Sequence, residues 1–401
     1  MLQGWVVIVV ALGYIGLLFV IASYGDSIRA RGGAHARTII YPLSLAIYCT
    51  SWTFFGSVGL ASRTGYDFLA IYVGPVLMVG LATPLILRVV RLAKAQNITS
   101  IADFIAARYG KHQAVAATVA AIAIVGTIPY IALQLKAVSS SLGTILTHLD
   151  VTTGHAQPML GDIALFVALA MATFAVLFGT RHIDATEHQD GLILAIATET
   201  LIKLVAFVTV GVFVTFVMFD GPAALFTKAM ETPHTAAVLT REPVWSTLIT
   251  MTLLSTVAIV LLPRQFHVTV VENHSESEIR RASWLFPIYL VLINLFVIPI
   301  AIAGLLTFAP ESVDSDMFVL ALPLSAGSEI LALVAFIGGL SAATAMVIVE
   351  TVALAIMASN DIVVPFVLQR RATLLSGEGV GAALLTVRRV AIFVILLFAY
   401  I

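Results

Sequence analysis

Charge is what this 401-residue chain lacks first: 11% of its residues are Asp, Glu, Lys or Arg against 60% hydrophobic, with a mean hydropathy of +1.05. Those proportions exclude a soluble globular domain and place the chain among polytopic membrane proteins. No basic tract stands out and the formal net charge is -1, which leaves no electrostatic footprint for nucleic acid. Cysteine is reduced to one residue, Cys49, so no intramolecular disulfide and no cysteine-based metal cluster can form. The nine histidines show no HExxH or paired-ligand spacing, which gives a resident metal no support. A GxxxxGK[ST] loop, a GxSxG elbow and an acid pair in a polar loop are also missing. Nothing in these residues reads as a catalytic centre.

What is present is a succession of apolar runs. A window of about 19 residues gives ten candidate spans: Gly4 to Tyr24, Ile39 to Ala61, Phe68 to Val90, Ala114 to Leu142, Asp162 to Phe178, Gly191 to Phe219, Val244 to Leu262, Trp284 to Phe308, Glu329 to Ala358, and Val387 to the end. The first has no basic leader or small-residue cleavage pattern and reads as a retained span rather than a signal peptide. The tenth stops at Ile401 without a polar flank, which predicts a span cut short. Sixteen Lys and Arg fall in one set of alternating loops, Arg264 among them, and three (Arg63, Lys228, Arg241) in the other. This bias puts the richer set in the cytoplasm and the N-terminus outside. Between the third and fourth spans, Ser100 is placed to cap a short helix with an Ile101, Phe104, Ile105 stripe, expected to lie at the cytoplasmic interface. Thr147 to Gly161 and Asp220 to Glu242 read as solvated connections carrying at most short lids.

The second span is anomalous. Ile39 to Ala61 carries no charge, yet Tyr48, Cys49, Thr50, Ser51, Trp52 and Thr53 stand at its middle. Hydroxyls and free carbonyls at that depth persist only where they face protein, water or a ligand. Five spans form an odd unit whose second copy would sit upside down in the bilayer. With the first span as an extra, the second and seventh then correspond. The seventh has Ser255 and Thr256 at its middle and Pro263-Arg264 at its end. Broken helices expose carbonyls that hold a small cation together with hydroxyls from a neighbouring helix, and the ninth span offers Ser341 and Thr344. The alternative is that Gly338, Gly339, Ser341, Ala342 and Ala343 make a close packing face with self-satisfied hydroxyls.

Four ionisable residues lie inside spans and need partners. Glu199 and Lys203 are four apart on the sixth span, in the favourable order for an ion pair, with a proton relay as the lesser alternative. Lys136 is placed to snorkel. Glu350 stands alone, either a partner of a basic loop residue or part of an ion exit path. Tyr130 and Gln134, just past Pro129, could bond only to a neighbouring helix, or could join Tyr48 and Trp52 in an aromatic and amide cage for a small polar solute. Ser255 is a further candidate for that solute.

Several segments together resemble the sodium:solute symporter family. They are SIADFIAARYG (100 to 110), PYIALQLKA (129 to 137), FGTRHIDATEHQDGL (178 to 192), LLPRQFHV (261 to 268) and the ninth span ending in ASND. YCTSWTFFGSVG and PRQFHVTVVEN are more closely similar to the branch in which a symporter-like domain is fused to a sensor histidine kinase. The resemblance implies an all-α, LeuT-like inverted five-plus-five repeat with an extra N-terminal span. It implies a cation site, for Na+ or with H+ in its place, on Ala46, Cys49, Leu340, Ala343 and Thr344. It departs from the family where Ala343 replaces a hydroxyl residue and Tyr48 stands where some members carry an acid. Glu187 matches an acidic position near the ion route of relatives. The expectation is therefore a membrane-embedded domain, 1 to 401, of a bacterial inner-membrane sensor kinase. It would bind and sense a small nutrient such as histidine or another amino acid, with or without importing it, and ATP-binding kinase domains downstream would signal to a response regulator. The rivals are a free-standing cation-coupled transporter and a plain membrane anchor.

Overall fold

The computed structural model describes residues 4–29, 34–153, 163–179, 189–366 and 379–401, and all regular structure among them is helical. Among the described residues, seven helices are long and apolar enough to cross a membrane, eight when Trp245–Leu261 and Pro263–Val271, bent by 53°, count as one. Each of the ten stretches read from the hydropathy is mainly helical where it is described. Near the start run α1 (Gly4–Arg29), α2 (Ala34–Ser44), α3 (Ser57–Thr64), α4 (Ala70–Val76), α5 (Thr83–Ala95) and the short α6 (Ile101–Arg108). The long α7 (Gln113–Thr153), α8 (Ile163–Gly179) and α9 (Asp190–Val212) follow.

The second half opens on two short helices, α10 (Pro222–Glu231) and α11 (Pro233–Leu239). These occupy the stretch expected to be an open connection. Leu225, Ala229 and Thr235 are buried there, so it is a fitted cover. Next come α12 (Trp245–Leu261), α13 (Pro263–Phe266), α14 (Glu276–Asn294), α15 (Val297–Thr307), α16 (Phe318–Ser325), α17 (Glu329–Met357) and α18 (Gly379–Tyr400).

The second and seventh spans are both broken, and the local chemistry says why. After α2 the chain tightens into a 3-10 turn over Leu45–Tyr48 and leaves the helix at Cys49, which is extended at φ -79 and ψ 97. Helix resumes when the Thr50 hydroxyl accepts the Trp52 N–H at 3.3 Å, as an N-terminal cap does. In the seventh span Pro263 forces the residue before it out of helical geometry, and Leu262 sits at φ -61 and ψ 132. A wide π turn follows each break, Trp52–Gly56 in one and His267–Val271 in the other.

α17 is the post around which the rest is arranged: 83% of its apolar window is buried, against 22% for the N-terminal span. Packing between helices in a bilayer rests on close van der Waals contact and buried polar bonds. Gly338 provides the first, because a Cβ there would lie 2.6 Å from Ala206 Cβ and 2.7 Å from the Phe54 ring. The small-residue face is thus a packing face at Gly338 and Gly339, whereas the hydroxyls of Ser341 and Thr344 are used between helices.

Ser100 caps α6 as expected, accepting the Asp103 N–H at 3.0 Å. The stripe of α6 turns onto the bundle instead of lying along a lipid interface: Ile101 is buried, Phe104 meets Phe266 at 5.6 Å between ring centroids, and Ser100 donates to Asp361 at the end of the ninth span. Ser100→Ala should therefore lower stability by about 1 kcal/mol, and an unchanged melting temperature would mean that the cap is replaced by water.

Candidate functional site

The carbonyl side of the first break faces α9. Lys203 Nζ donates to the carbonyls of Ala46 at 2.9 Å and Cys49 at 2.6 Å, and the residue is only 1% exposed. Glu199, one turn earlier on α9, does not spend its carboxylate on Lys203. Its Oε1 accepts from Thr344 at 2.5 Å, and its backbone carbonyl accepts from Ser341 at 2.8 Å. In place of the expected i, i+4 hydrogen-bonded ion pair, the two side chains bond to two other spans, since the packed spans present a polar break and a hydroxyl face closer to hand. Of the five residues implied to form a cation site, Ala46 and Cys49 bond to Lys203, and Leu340 gives its carbonyl to the Thr344 hydroxyl at 2.9 Å. Ala343 is fully buried and brings no side-chain oxygen.

The N–H side of the same break faces α7. Gln134 Oε1 accepts the Ser51 N–H at 3.0 Å and its hydroxyl at 2.6 Å, while Tyr130 and Thr50 share a bond of 2.9 Å between hydroxyls. Tyr130 and Gln134 therefore reach the break together, one helical turn apart. The other members of the expected cage make different contacts. Tyr48 donates to the Ile71 carbonyl at 2.9 Å and meets Phe286 edge-on, and half-buried Trp52 lies along its own helix over Gly56. Ser255 bonds to Ala70 and Thr252 carbonyls where α12 packs on α4, so it is a packing residue and not part of this cluster. Glu187 lies outside the described residues.

Arg264 is the largest correction. Counted among cytoplasmic loop residues by its place after an apolar run, it is instead 1% exposed and paired with Glu350 at 2.8 Å, with its guanidinium 4.9 Å from the centre of the Tyr130 ring. Glu350 thereby finds the basic partner that its isolation demanded, from the second break rather than a loop. Gln265 joins them, donating to the Leu45 carbonyl at 3.4 Å. Arg264 Nε, Gln265 Oε1 and Glu350 Oε1 are buried without a hydrogen-bond partner, and buried polar atoms are left so only at a cost. The sequence signal that could have found Arg264 was Glu350 itself, an acid at the heart of an apolar helix.

Two vestibules lie at opposite ends of α7. One, of about 270 Å³, is bordered by Asp103, Lys111, Gln113 and Asp361; the other, of about 480 Å³, by Thr144, Thr147, His148 and Asp314. The 28 residues from Ala116 to Thr144 span roughly 40 Å of helix, with Tyr130 and Gln134 between. Near the first vestibule's face of the molecule, Arg37 binds Glu278 and Asp190, Arg91 binds Glu276, and Lys94 donates to Asn273. Partial burial draws Lys94 below the usual lysine range.

No family model matches the chain, and no curated protein matches it by sequence. A solved structure does: a Na+-coupled sialic acid symporter in a substrate-bound, outward-open state, with a TM-score of 0.66 at 16% identity over 99% of this chain and 80% of that one. At that identity the likeness is one of fold. The chain is an all-α, multi-pass membrane protein with the LeuT-like symporter fold and an added N-terminal span.

Proposed function

We propose that this chain is a secondary carrier of a small zwitterionic solute, such as an amino acid, held where the two helix breaks meet. The observation that carries the reading is the closed cluster of Arg264, Gln265 and Glu350 beside Tyr130, with one donor and two acceptors unpartnered in the middle of the bundle. A free donor on Arg264 suits a carboxylate, and free acceptors on Glu350 and Gln265 suit an ammonium. The vestibules above and below suit alternating access to a closed centre. That a Na+-coupled protein shares the fold supports a positive charge at the first break as part of the cycle. We take the membrane to be a bacterial inner membrane and the N-terminus to lie outside, following the Lys and Arg bias. Use of the same equilibrium as input to a histidine kinase is supported by the resemblance of segments 48–59 and 263–273 alone, so transport comes first.

The experiment is solute binding and uptake by the purified chain in proteoliposomes, across a panel of amino acids that includes histidine and proline. At least one zwitterion should bind, and its amide, which lacks the carboxylate charge, should bind far more weakly. Gln265→Leu should reduce affinity by about tenfold through one lost hydrogen bond. Failure of every zwitterion to bind, or equal binding of acid and amide, would dismiss the reading.

A further inference from the structure

We propose that Lys203 is itself the cation of the first break, so that this site takes no Na+. For its transport readout the inference rests on the carrier reading above. Carbonyls at the end of an interrupted helix carry the negative end of the helix dipole and call for a positive charge. Here two of them, Ala46 and Cys49, receive it from a side chain of the same protein, at 2.9 and 2.6 Å. A metal ion would need the same oxygens, and the surroundings do not make up the set. The Leu340 carbonyl accepts the Thr344 hydroxyl, Ala343 has no side-chain oxygen to add, and Thr344 is also engaged with Glu199.

Charge settles the competition. Two unit positive charges about 4 Å apart in a protein repel enough to weaken binding of the second by roughly a thousandfold. Lys203 cannot leave, so Na+ is the one excluded. The charged groups that face the ammonium are Glu199 on its own helix and Arg264 from the second break, and the Cys49 thiol lies beside it. Glu199, held by Thr344 and Ser341, is a second carboxylate wall that would serve a free cation once the ammonium is gone. A residue that merely filled space would not have to be charged. An amine set against two carbonyls at the negative end of an interrupted helix is favoured in its charged form.

The test compares wild type with Lys203→Ala and Lys203→Met in NaCl and in choline chloride at equal ionic strength, reading melting temperature, radioactive Na+ binding and solute affinity. Melting and Na+ binding need no solute, so failure of the carrier reading would leave them intact. Wild type should bind no Na+ and show the same melting temperature and solute affinity in both salts. Lys203→Ala should melt lower, gain a Na+-dependent upward shift in melting temperature, and be partly rescued by methylammonium, an untethered copy of the lost head. Lys203→Met, whose stem fills the space left by the lysine, should gain less from either ion. Na+ binding to wild type, or a change of solute affinity above about threefold on adding Na+, would overturn the proposal. So would a Lys203→Ala protein that folds yet responds to neither Na+ nor methylammonium. If neither variant folds, wild type alone decides by its Na+ binding.

Discussion

Glu350→Ala is expected to cost about 3–5 kcal/mol of stability, read as a large fall in the melting temperature of the detergent-solubilised protein. Arg264 is 1% exposed and Glu350 fully buried, and they are joined at 2.8 Å. Deleting the carboxylate leaves a guanidinium with no countercharge in a medium where water does not reach it, and the face of Tyr130 offsets only part of that loss. Removing both charges is a different matter. Arg264→Met combined with Glu350→Leu should be nearer to wild type than either single change, because the desolvation of two ions disappears with their attraction. Solute binding should be lost in all three, since the cluster that supplies the free donor and acceptors is gone. A loss under about 1 kcal/mol for Glu350→Ala would show that the pair is open to water in the folded protein.

Gly74→Ala should destabilise by about 1–3 kcal/mol and slow transport, for a reason unrelated to charge. A Cβ at this position would lie 2.5 Å from the Thr256 nitrogen and 2.6 Å from the Thr252 carbonyl, with the Ser255 hydroxyl nearer still. Backbone does not step aside as a flexible side chain does, so α4 and α12 must separate. α12 leads straight into the second break, which the displacement would carry with it. Gly126→Ala is the control: nothing lies within 4 Å of its added Cβ, and helix propensity alone predicts a gain of up to about 1 kcal/mol. Equal melting temperatures for the two variants would remove the close contact of α4 with α12.

How much of this was legible in the chain divides along a physical line. Hydropathy located the spans because the bilayer imposes a length on each of them. Ser100 was readable as a cap because capping is local in sequence. The polar middle of the second span marked a break because a continuous lipid-facing helix gives hydroxyls no reason to gather there. Long-range partners were another matter. The spacing of Glu199 and Lys203 suggests that they pair, since a single helix displays only its i, i+3 and i, i+4 neighbours, yet both turn to other spans. The sequence places Arg264 with the loops because position reports where an apolar run ends, not whether the chain then dives back into the bundle. Ser255 looked like a site residue by its polarity and proved to be a packing residue, because the close approach permitted by Gly74 brings α4 down upon it.

The first break is fastened on both sides, and to different walls. Its carbonyl end is tied to α9 through Lys203, and its N–H end to α7 through Gln134. Between the two fastenings only Cys49 and Thr50 stand outside regular helix. Any sliding of α7 past α9 is therefore delivered to the torsion angles of two residues. The joint works as a strain gauge set into the wall of the bundle, and hydrogen exchange at the Ser51 amide is the needle that reads it.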